Sequence, residues 1–418
     1  MDKKFKMNSF FAGIGGFDLG CERHGFETTL LCEINPFCQK ILSSHWPNTS
    51  LKADITKIQP MEIPKADLWC GGFPCQDISL ARASSERLGL KGARSGLFYS
   101  FADLVEQAKP EVILIENVEG LLNSNEGRDF GTIIQRMVQL GYGVAWRLLN
   151  SRYFGVPQSR SRMYICCWRN RVDLAVKSLF EDGFVEKPAN PRKDFLTLSS
   201  PANVFPQVPK VAYCLAASSG RHTGTDWSRT YVADESGVRR LTPLESERLQ
   251  GFPDNWTLVA NMQEDSEEID TLRYTAVGNA VSVPVIEWIA ERIYLNLIRK
   301  SKVRSKEGII SYNPHTKKAK PLDLDLLSID FSIADISFKW AKAGFASFEM
   351  QYQVEIPPSP KNIVESELFP LIESTASQKY YLTSNAATGI LRRVDKQGRT
   401  LFAPLRNALE REAAKLQL

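Results

Sequence analysis

The apolar positions in the first half of the chain come as short unbroken runs, and stretches with helical spacing lie between them. Lys6–Phe11, Thr28–Cys32, Asp67–Cys70, Glu111–Ile115, Gly143–Leu149 and Met163–Trp168 read as strands, Glu111–Ile115 being the clearest buried one. A briefer strand candidate precedes Ala53-Asp54-Ile55. Phe17–Arg23, Pro36–Ser44, Gly96–Lys109 and Asp129–Leu140 read as helices, the third stopped by Pro110. Strands alternating with helices predict an α/β chain. The rhythm breaks twice. Ile78–Ser95 is rich in Ser, Gly and Arg without apolar periodicity, and a loop this long is usually functional or disordered. Asn170–Val238 carries Pro188, Pro191, Pro201, Pro206 and Pro209 and a polar stretch from Ser218 to Arg229.

The residues that can carry chemistry gather at strand ends, where open α/β sheets bind ligands. Gly71-Gly72-Phe73-Pro74-Cys75-Gln76 follows the strand Asp67–Cys70. The glycines permit a sharp turn, and Pro74 holds Phe73 extended, so the Cys75 side chain has a set direction. In that rigid frame Cys75 reads as a nucleophile rather than as one more buried thiol. Ala12-Gly13-Ile14-Gly15-Gly16 sits between a strand and a helix, where glycines let a ligand approach the backbone. Glu33 lies 17 positions after Gly16, near the spacing at which a carboxylate receives ribose hydroxyls. Asp54 has two readings, an acceptor for an adenine amino group or a cap on the next turn. Glu116 emerges from a fully apolar strand and must be paired or neutralised. Arg160 and Arg162 alternate, so on a strand they would share one face and grip a phosphate or a carboxylate.

Composition narrows this picture only slightly. With 43% hydrophobic and 24% charged residues over 418 positions, the chain can build a large globular domain and a small one. No apolar run is long enough to span a bilayer, and Met1–Lys6 leads straight into a strand without a signal-peptide core. Eight scattered cysteines fit a reducing cytoplasm, and with no Cys-x-x-Cys and four histidines they argue against zinc. A net charge of +4 agrees with a nucleic-acid partner without establishing one.

Taken in order over roughly the first 295 residues, these motifs resemble the cytosine-5 DNA methyltransferases of bacteria and phages, the restriction–modification type. The resemblance implies a Rossmann-like, doubly wound, mostly parallel sheet of the class I methyltransferase kind, a smaller irregular target-recognition domain and a C-terminal accessory module. It implies S-adenosyl-L-methionine held by Phe11, Ala12, Gly13, Ile14, Gly15, Gly16, Glu33, Ile34, Asp54, Ile55, Pro74, Asn279 and Ala280. It implies catalysis by Cys75 of Pro74-Cys75-Gln76, by Glu116 of Glu116-Asn117-Val118, and by Arg160 and Arg162 of Gln158-Ser159-Arg160-Ser161-Arg162, with no metal. Arg240–Glu245 with Gln250–Pro253, and Gly278-Asn279-Ala280-Val281, are similar to the family's last motifs. Phe10 stands where the family more often has Leu. The target base would be flipped out of duplex DNA, with Ser79–Ser95 closing over it as a lid.

The domain boundaries expected are 1–169 for the catalytic and cofactor-binding domain, 170–238 for target recognition and 239–298 for the return that completes the catalytic domain. A basic linker, 299–320, carries eight Lys or Arg residues against Glu307, and an accessory module, 321–418, follows. The Lys379–Leu382 and Gly389–Arg393 stretches are similar to a segment of some phage-borne cytosine methyltransferases. DNA contacts are expected from Gln158, Arg94, Arg221, Thr223 and Arg229. Double-stranded DNA is the expected partner of a monomer, with a cognate restriction endonuclease as a functional partner. Two alternatives stand beside this reading. A tRNA cytosine-5 methyltransferase is disfavoured by the lack of a Cys-Phe-Thr signature, and a catalytically silent DNA-binding protein by the intact catalytic motifs. The glycine pattern also disfavours a nicotinamide oxidoreductase.

Overall fold

The computed structural model describes residues 3–74, 96–181, 191–201, 204–219, 228–259, 266–302, 319–321 and 337–415. In chain order the first elements are β1 (Phe5–Phe10), α1 (Gly16–Glu22), β2 (Phe26–Cys32), α2 (Pro36–His45), β3 (Ser50–Lys52) and β4 (Leu68–Gly71). Then come α3 (Leu97–Ala108), β5 (Val112–Val118), α4 (Arg128–Gln139), β6 (Tyr142–Asn150), β7 (Ser161–Arg169), α5 (Val172–Leu179) and the short α6 (Pro191–Asp194). The second half adds β8 (Tyr231–Ala233), β9 (Val238–Arg240), α7 (Pro243–Gln250), α8 (Glu267–Asn279) and α9 (Val283–Lys302). The chain closes with β10 (Ala319–Pro321), β11 (Ala343–Ala346), β12 (Gln351–Val354), α10 (Ser384–Lys396) and α11 (Ala403–Ala414).

The chain divides into two compact units. The first holds Met1–Leu149, Ser161–Lys187 and Val285–Lys361; the second holds Asn150–Arg160, Pro188–Pro284 and Asn362–Leu418. In the first, ten strands form one sheet in the order β10-β12-β11-β6-β7-β5-β4-β1-β2-β3. From β5 to β3 every neighbouring pair is parallel. The site is built on this parallel half, because parallel strands bring their carboxyl ends to one edge. β7 runs antiparallel to β5 and sets Tyr164 opposite Glu116 and Arg162 opposite Val118. The apolar runs read from the sequence are these strands, and β5 is buried from Val112 to Asn117. It is longer than expected: Glu116 and Asn117 lie within the strand rather than after it.

The two compact units divide the chain differently from the boundaries expected from the sequence. Residues 150–160 leave the catalytic unit for the second one, and 239–284 belong to the second unit rather than completing the first. The basic stretch begins as helix, since α9 runs to Lys302 and Lys300 pairs with Glu111; residues 303–318 lie outside the described ones. The tail is not a separate module. Its first part adds β10–β12 to the catalytic sheet, with Phe345 opposite Ala145. Trp340 packs into the first core, its ring 5.1 Å from Phe130 and its Nε1 donating to Gly127 O at 2.8 Å. Its last part shares a core with the hairpin β8–β9, through Leu382, Ile390, Val394, Phe402, Leu405 and Leu409. Apolar side chains scattered through residues 338–409 drive both attachments.

Beneath α1 the first unit buries one carboxyl completely. Ser9 Oγ donates to Asp18 at 3.0 Å and Thr28 Oγ1 at 3.2 Å. Burial pushes this carboxyl up from 3.8 to about 7, with Glu22 adding to the effect and the Ser9 and Thr28 hydrogen bonds opposing it. Between about pH 4 and about pH 7 the folded chain keeps a proton that the unfolded chain has released, so stability falls as pH rises through that window. The loss is bounded by about 4 kcal/mol. Asp18→Asn keeps the shape without the titration. Urea unfolding across this range should show the wild type losing its advantage over the variant as pH rises; parallel pH profiles for the two chains would refute the assignment.

Candidate active site

The loop after β1 is held by backbone geometry that few sequences allow. Ala12 N–H donates to Cys32 O at 3.0 Å and Gly15 N–H to Ala12 O at 2.9 Å. Phe11, Gly13 and Gly15 all take left-handed φ values, +54°, +58° and +82°. A side chain at Gly15 would stand 2.3 Å from the Trp46 ring, so glycine is required there twice over. Phe11 adopts the left-handed region despite its bulk, a strain that surrounding contacts must sustain. Glu33, just past β2, accepts from Gly13 N–H and Asn35 N–H, both at 2.8 Å. Its carboxylate therefore ties the first loop to the start of α2. Among the described residues, and apart from its own chain neighbours, no atom lies within 4 Å of the point where a Gly13 side chain would begin. Ile34, beside Glu33, is 71% exposed. Open space at a glycine, a carboxylate on its rim and an apolar side chain offered to solvent fit a nucleoside, the carboxylate receiving hydroxyls and Ile34 a ring face.

Asp54 takes the capping role offered as its second reading. It accepts from Thr56 N–H at 3.0 Å and Thr56 Oγ1 at 2.7 Å, starting the short 3-10 turn Ile55–Lys57. The Thr56 hydroxyl and then its backbone N–H hold this carboxyl below its ordinary range. Ile55 points into the core, so only its backbone remains for a ligand. Ala12, Ile14 and Gly16 are buried.

At the ends of β4 and β5 the chain passes unusually close to a carboxylate. A side chain at Gly72 would begin 3.3 Å from Glu116 Oε2 and 3.5 Å from Glu116 O. Arg162 Nε lies 3.0 Å from Glu116 Oε1, and both side chains are mostly buried. Asn117 Nδ2 donates to Phe73 O at 3.4 Å, and the Phe73 ring sits in the core 5.4 Å from that of Phe98. Phe73 is thus anchored through both its carbonyl and its ring. Cys75, Arg94, Arg221, Thr223 and the expected lid lie outside the described residues.

The second unit receives the other expected residues and assigns two of them differently. Arg160 precedes β7, so strand alternation does not apply and it shares no face with Arg162. It is buried, donating to Leu215 O at 2.9 Å, Gly278 O at 3.1 Å and Ala280 O at 2.7 Å. Gln158 is fully buried, donating to Leu249 O at 2.9 Å and accepting from Leu215 N–H at 2.9 Å. Burial with engaged polar atoms makes both positioning residues, not the substrate grip and the DNA contact expected of them. Their effect is visible at Asn279, which stands exposed between the two carbonyls that Arg160 clamps. Gln250 was not singled out, although its Nε2 also donates to Val277 O at 3.1 Å; its only sequence signal was its place in Gln250–Pro253. Trp46, equally unforeseen, has no local signal at all. Arg229 is half-buried and donates to Ser218 O at 2.8 Å.

Compared with solved structures, the chain resembles Entamoeba histolytica methyltransferase EhMeth, with a TM-score of 0.55 and 19% identity over 71% of this chain and 99% of that one. A mutant of Spodoptera frugiperda DNMT2 aligns with a TM-score of 0.52 and 19% identity over 70% of this chain and 100% of that one. These likenesses define the fold as that of an α/β methyltransferase. The family model for C-5 cytosine-specific DNA methylase matches residues 5–203 and 204–295. Type II methyltransferase M2.BsuMI of Bacillus subtilis (strain 168) is 32% identical over 317 residues, 69% of this chain and 75% of the relative. Type II methyltransferase M1.ScrFI of Lactococcus lactis subsp. cremoris is 32% identical over 329 residues, 72% and 80% of the two chains. The chain belongs to the C-5 cytosine-specific DNA methylases. It is an S-adenosylmethionine-dependent DNA (cytosine-5-)-methyltransferase. Among the described residues no helix is long and apolar enough to cross a membrane, and no cluster of potential ligands could hold a metal ion.

Arg160 and the Glu116–Arg162 pair should fail differently when disturbed. Arg160→Met removes a charged donor from three buried carbonyls, Leu215 O, Gly278 O and Ala280 O, and should cost about 3 kcal/mol of stability. Glu116→Gln keeps an oxygen for Arg162 and should cost no more than about 1 kcal/mol, while sharply lowering methyl transfer. Chemical denaturation and single-turnover methylation of both variants check this; a stable Arg160→Met chain, or a fully active Glu116→Gln chain, contradicts it.

Proposed function

We propose that the reaction runs through Cys75, Glu116 and Arg162, on a cytosine flipped out of duplex DNA within one short sequence. The observation that carries this reading is the Glu116–Arg162 pair, 3.0 Å apart, beside the glycine that leads into Pro74-Cys75. Carbon 5 of cytosine is too weak a nucleophile to accept a methyl group unaided. Addition of Cys75 Sγ to carbon 6 moves electron density to carbon 5. Glu116 at N3 offsets the charge that develops on the ring, and Arg162 fixes the carboxyl's position. S-adenosylmethionine, when bound, supplies an electrophilic methyl group on a sulfonium. The Gly13 turn, Glu33 and Ile34 would hold its nucleoside, with Asp54 and the Ile55 backbone contributing from the neighbouring turn; Pro74, Asn279 and Ala280 are the other residues proposed to bind it. After carbon 5 loses its proton, the Cys75–carbon 6 bond breaks and the thiolate is regenerated.

The same reading places the enzyme in the cytoplasm as a monomer. It would serve as the modification half of a restriction–modification pair, with a cognate endonuclease as functional partner, or as a solitary or phage-borne enzyme. The names of the relatives, Type II methyltransferases, support the first setting. Arg94, Arg221, Thr223 and Arg229 remain the residues proposed to meet DNA.

Bisulfite sequencing of DNA from cells expressing the chain should reveal protected cytosines within one short motif. Cys75→Ala should abolish that protection while S-adenosylmethionine still binds, as measured by calorimetry. Protection that survives in Cys75→Ala would sink the covalent mechanism.

A further inference from the structure

Residues 296–418 lie beyond the family match, yet their last part is built into the recognition unit. α10 and α11 share one core with β8 and β9, through Tyr231, Ala233 and Val238 on the hairpin side. Leu382 N–H donates to Val238 O at 2.8 Å, and the Tyr381 hydroxyl donates to Asp234 at 2.6 Å. The helix pair is therefore part of the body that carries the recognition hairpin.

α10 is sharply two-sided. Ala387, Ile390 and Val394 are buried. Asn385, Thr388, Arg392 and Lys396 are exposed and recur at spacings of three and four, so they line one face opposite the core. From Thr383 to Val394 there is no carboxylate. The cations then crowd together, Arg392, Arg393, Lys396 and Arg399 against Asp395, whose charge is taken up by Arg406 at 2.9 Å. Small and hydroxyl-bearing residues at the helix's beginning and cations at its end form a face that hydroxyl, amide and guanidinium donors can lay along phosphates. A cationic face whose one carboxylate on α10, Asp395, is already paired with Arg406 fits a polyanion.

We infer that this face of α10 binds the phosphodiester backbone of duplex DNA and extends the recognition unit's footprint beyond the region matched by the family. Arg392 and Lys396 each neutralise a phosphate. The contact adds affinity without reading sequence. The inference rests on duplex DNA being the substrate, and it is tested without methyl transfer. Fluorescence anisotropy with the full chain and a labelled duplex would compare wild type with Arg392→Gln/Lys396→Gln. Near 50 mM salt the variant should bind about tenfold more weakly, and the slope of log affinity against log salt should fall by about 2. The loss should be equal on the recognised sequence and on an unrelated duplex. Lys40→Gln/Lys65→Gln, which removes the same charge from the catalytic unit, should not reproduce it, and Arg392→Lys/Lys396→Arg should restore binding. Wild-type affinity and slope in the first variant would overturn the inference, as would an equal loss in the control variant or a loss confined to the recognised sequence. A wild-type chain that fails to bind duplex DNA would overturn the substrate reading as well.

Discussion

A carboxylate at the end of a fully buried strand imposes conditions on everything around it. Glu116 continues the apolar β5, where an unpaired charge would be costly. The fold answers with Arg162 on an antiparallel neighbour, 3.0 Å away, and with glycine where β4 passes the same carboxylate. Both answers follow from strand order. β7 must run against β5 for Arg162 to arrive at that end, and β4 must lie on the other side for Gly72 to meet Glu116. The ion pair, the sheet topology and the path from Gly72 to Pro74 are one arrangement seen from three sides.

The second unit relies on buried polar contacts of a different kind. Arg239 pairs with Glu245 at 2.8 Å and Arg273 with Glu247 at 3.0 Å, all four side chains nearly inaccessible. Such pairs contribute little net stability over apolar packing, but breaking one partner is costly, so they select one arrangement of the chain. Glu373 N–H donates to Glu245 and Glu373 O accepts from Arg239, which binds the C-terminal segment into the same network. The tail thus serves as part of this unit's interior. Its contribution to DNA binding through α10 would be an elaboration of a surface that the fold already had to build.

The elements were largely legible because they depend on local patterns. Buried strands announce themselves as apolar runs, and Gly13, Gly15 and Gly72 stand where the backbone turns or passes a neighbour too closely for a side chain. Membership of the family was legible too, since motif order over most of the chain is a property of sequence. What failed was inference from spacing across an element boundary. Arg160 and Arg162 look equivalent two positions apart, yet β7 begins at Ser161 and sends them to different units. Gln158 looks like a surface donor in a polar motif, and is fully buried.

The amino-acid sequence by itself determined the α/β character, the strand and helix positions, the loops that can approach a ligand and the residue types available for chemistry. Each of these follows from periodicity and from the conformational limits of Gly and Pro. Only the tertiary structure decided which polar groups are spent on holding the chain and which are left for function. Hydrogen-bond partners such as Gly278 O for Arg160, or Glu245 for Arg239, lie far along the chain or are met only after folding. The fate of the tail was decided in the same way, because its apolar residues carry no label saying which core they will join.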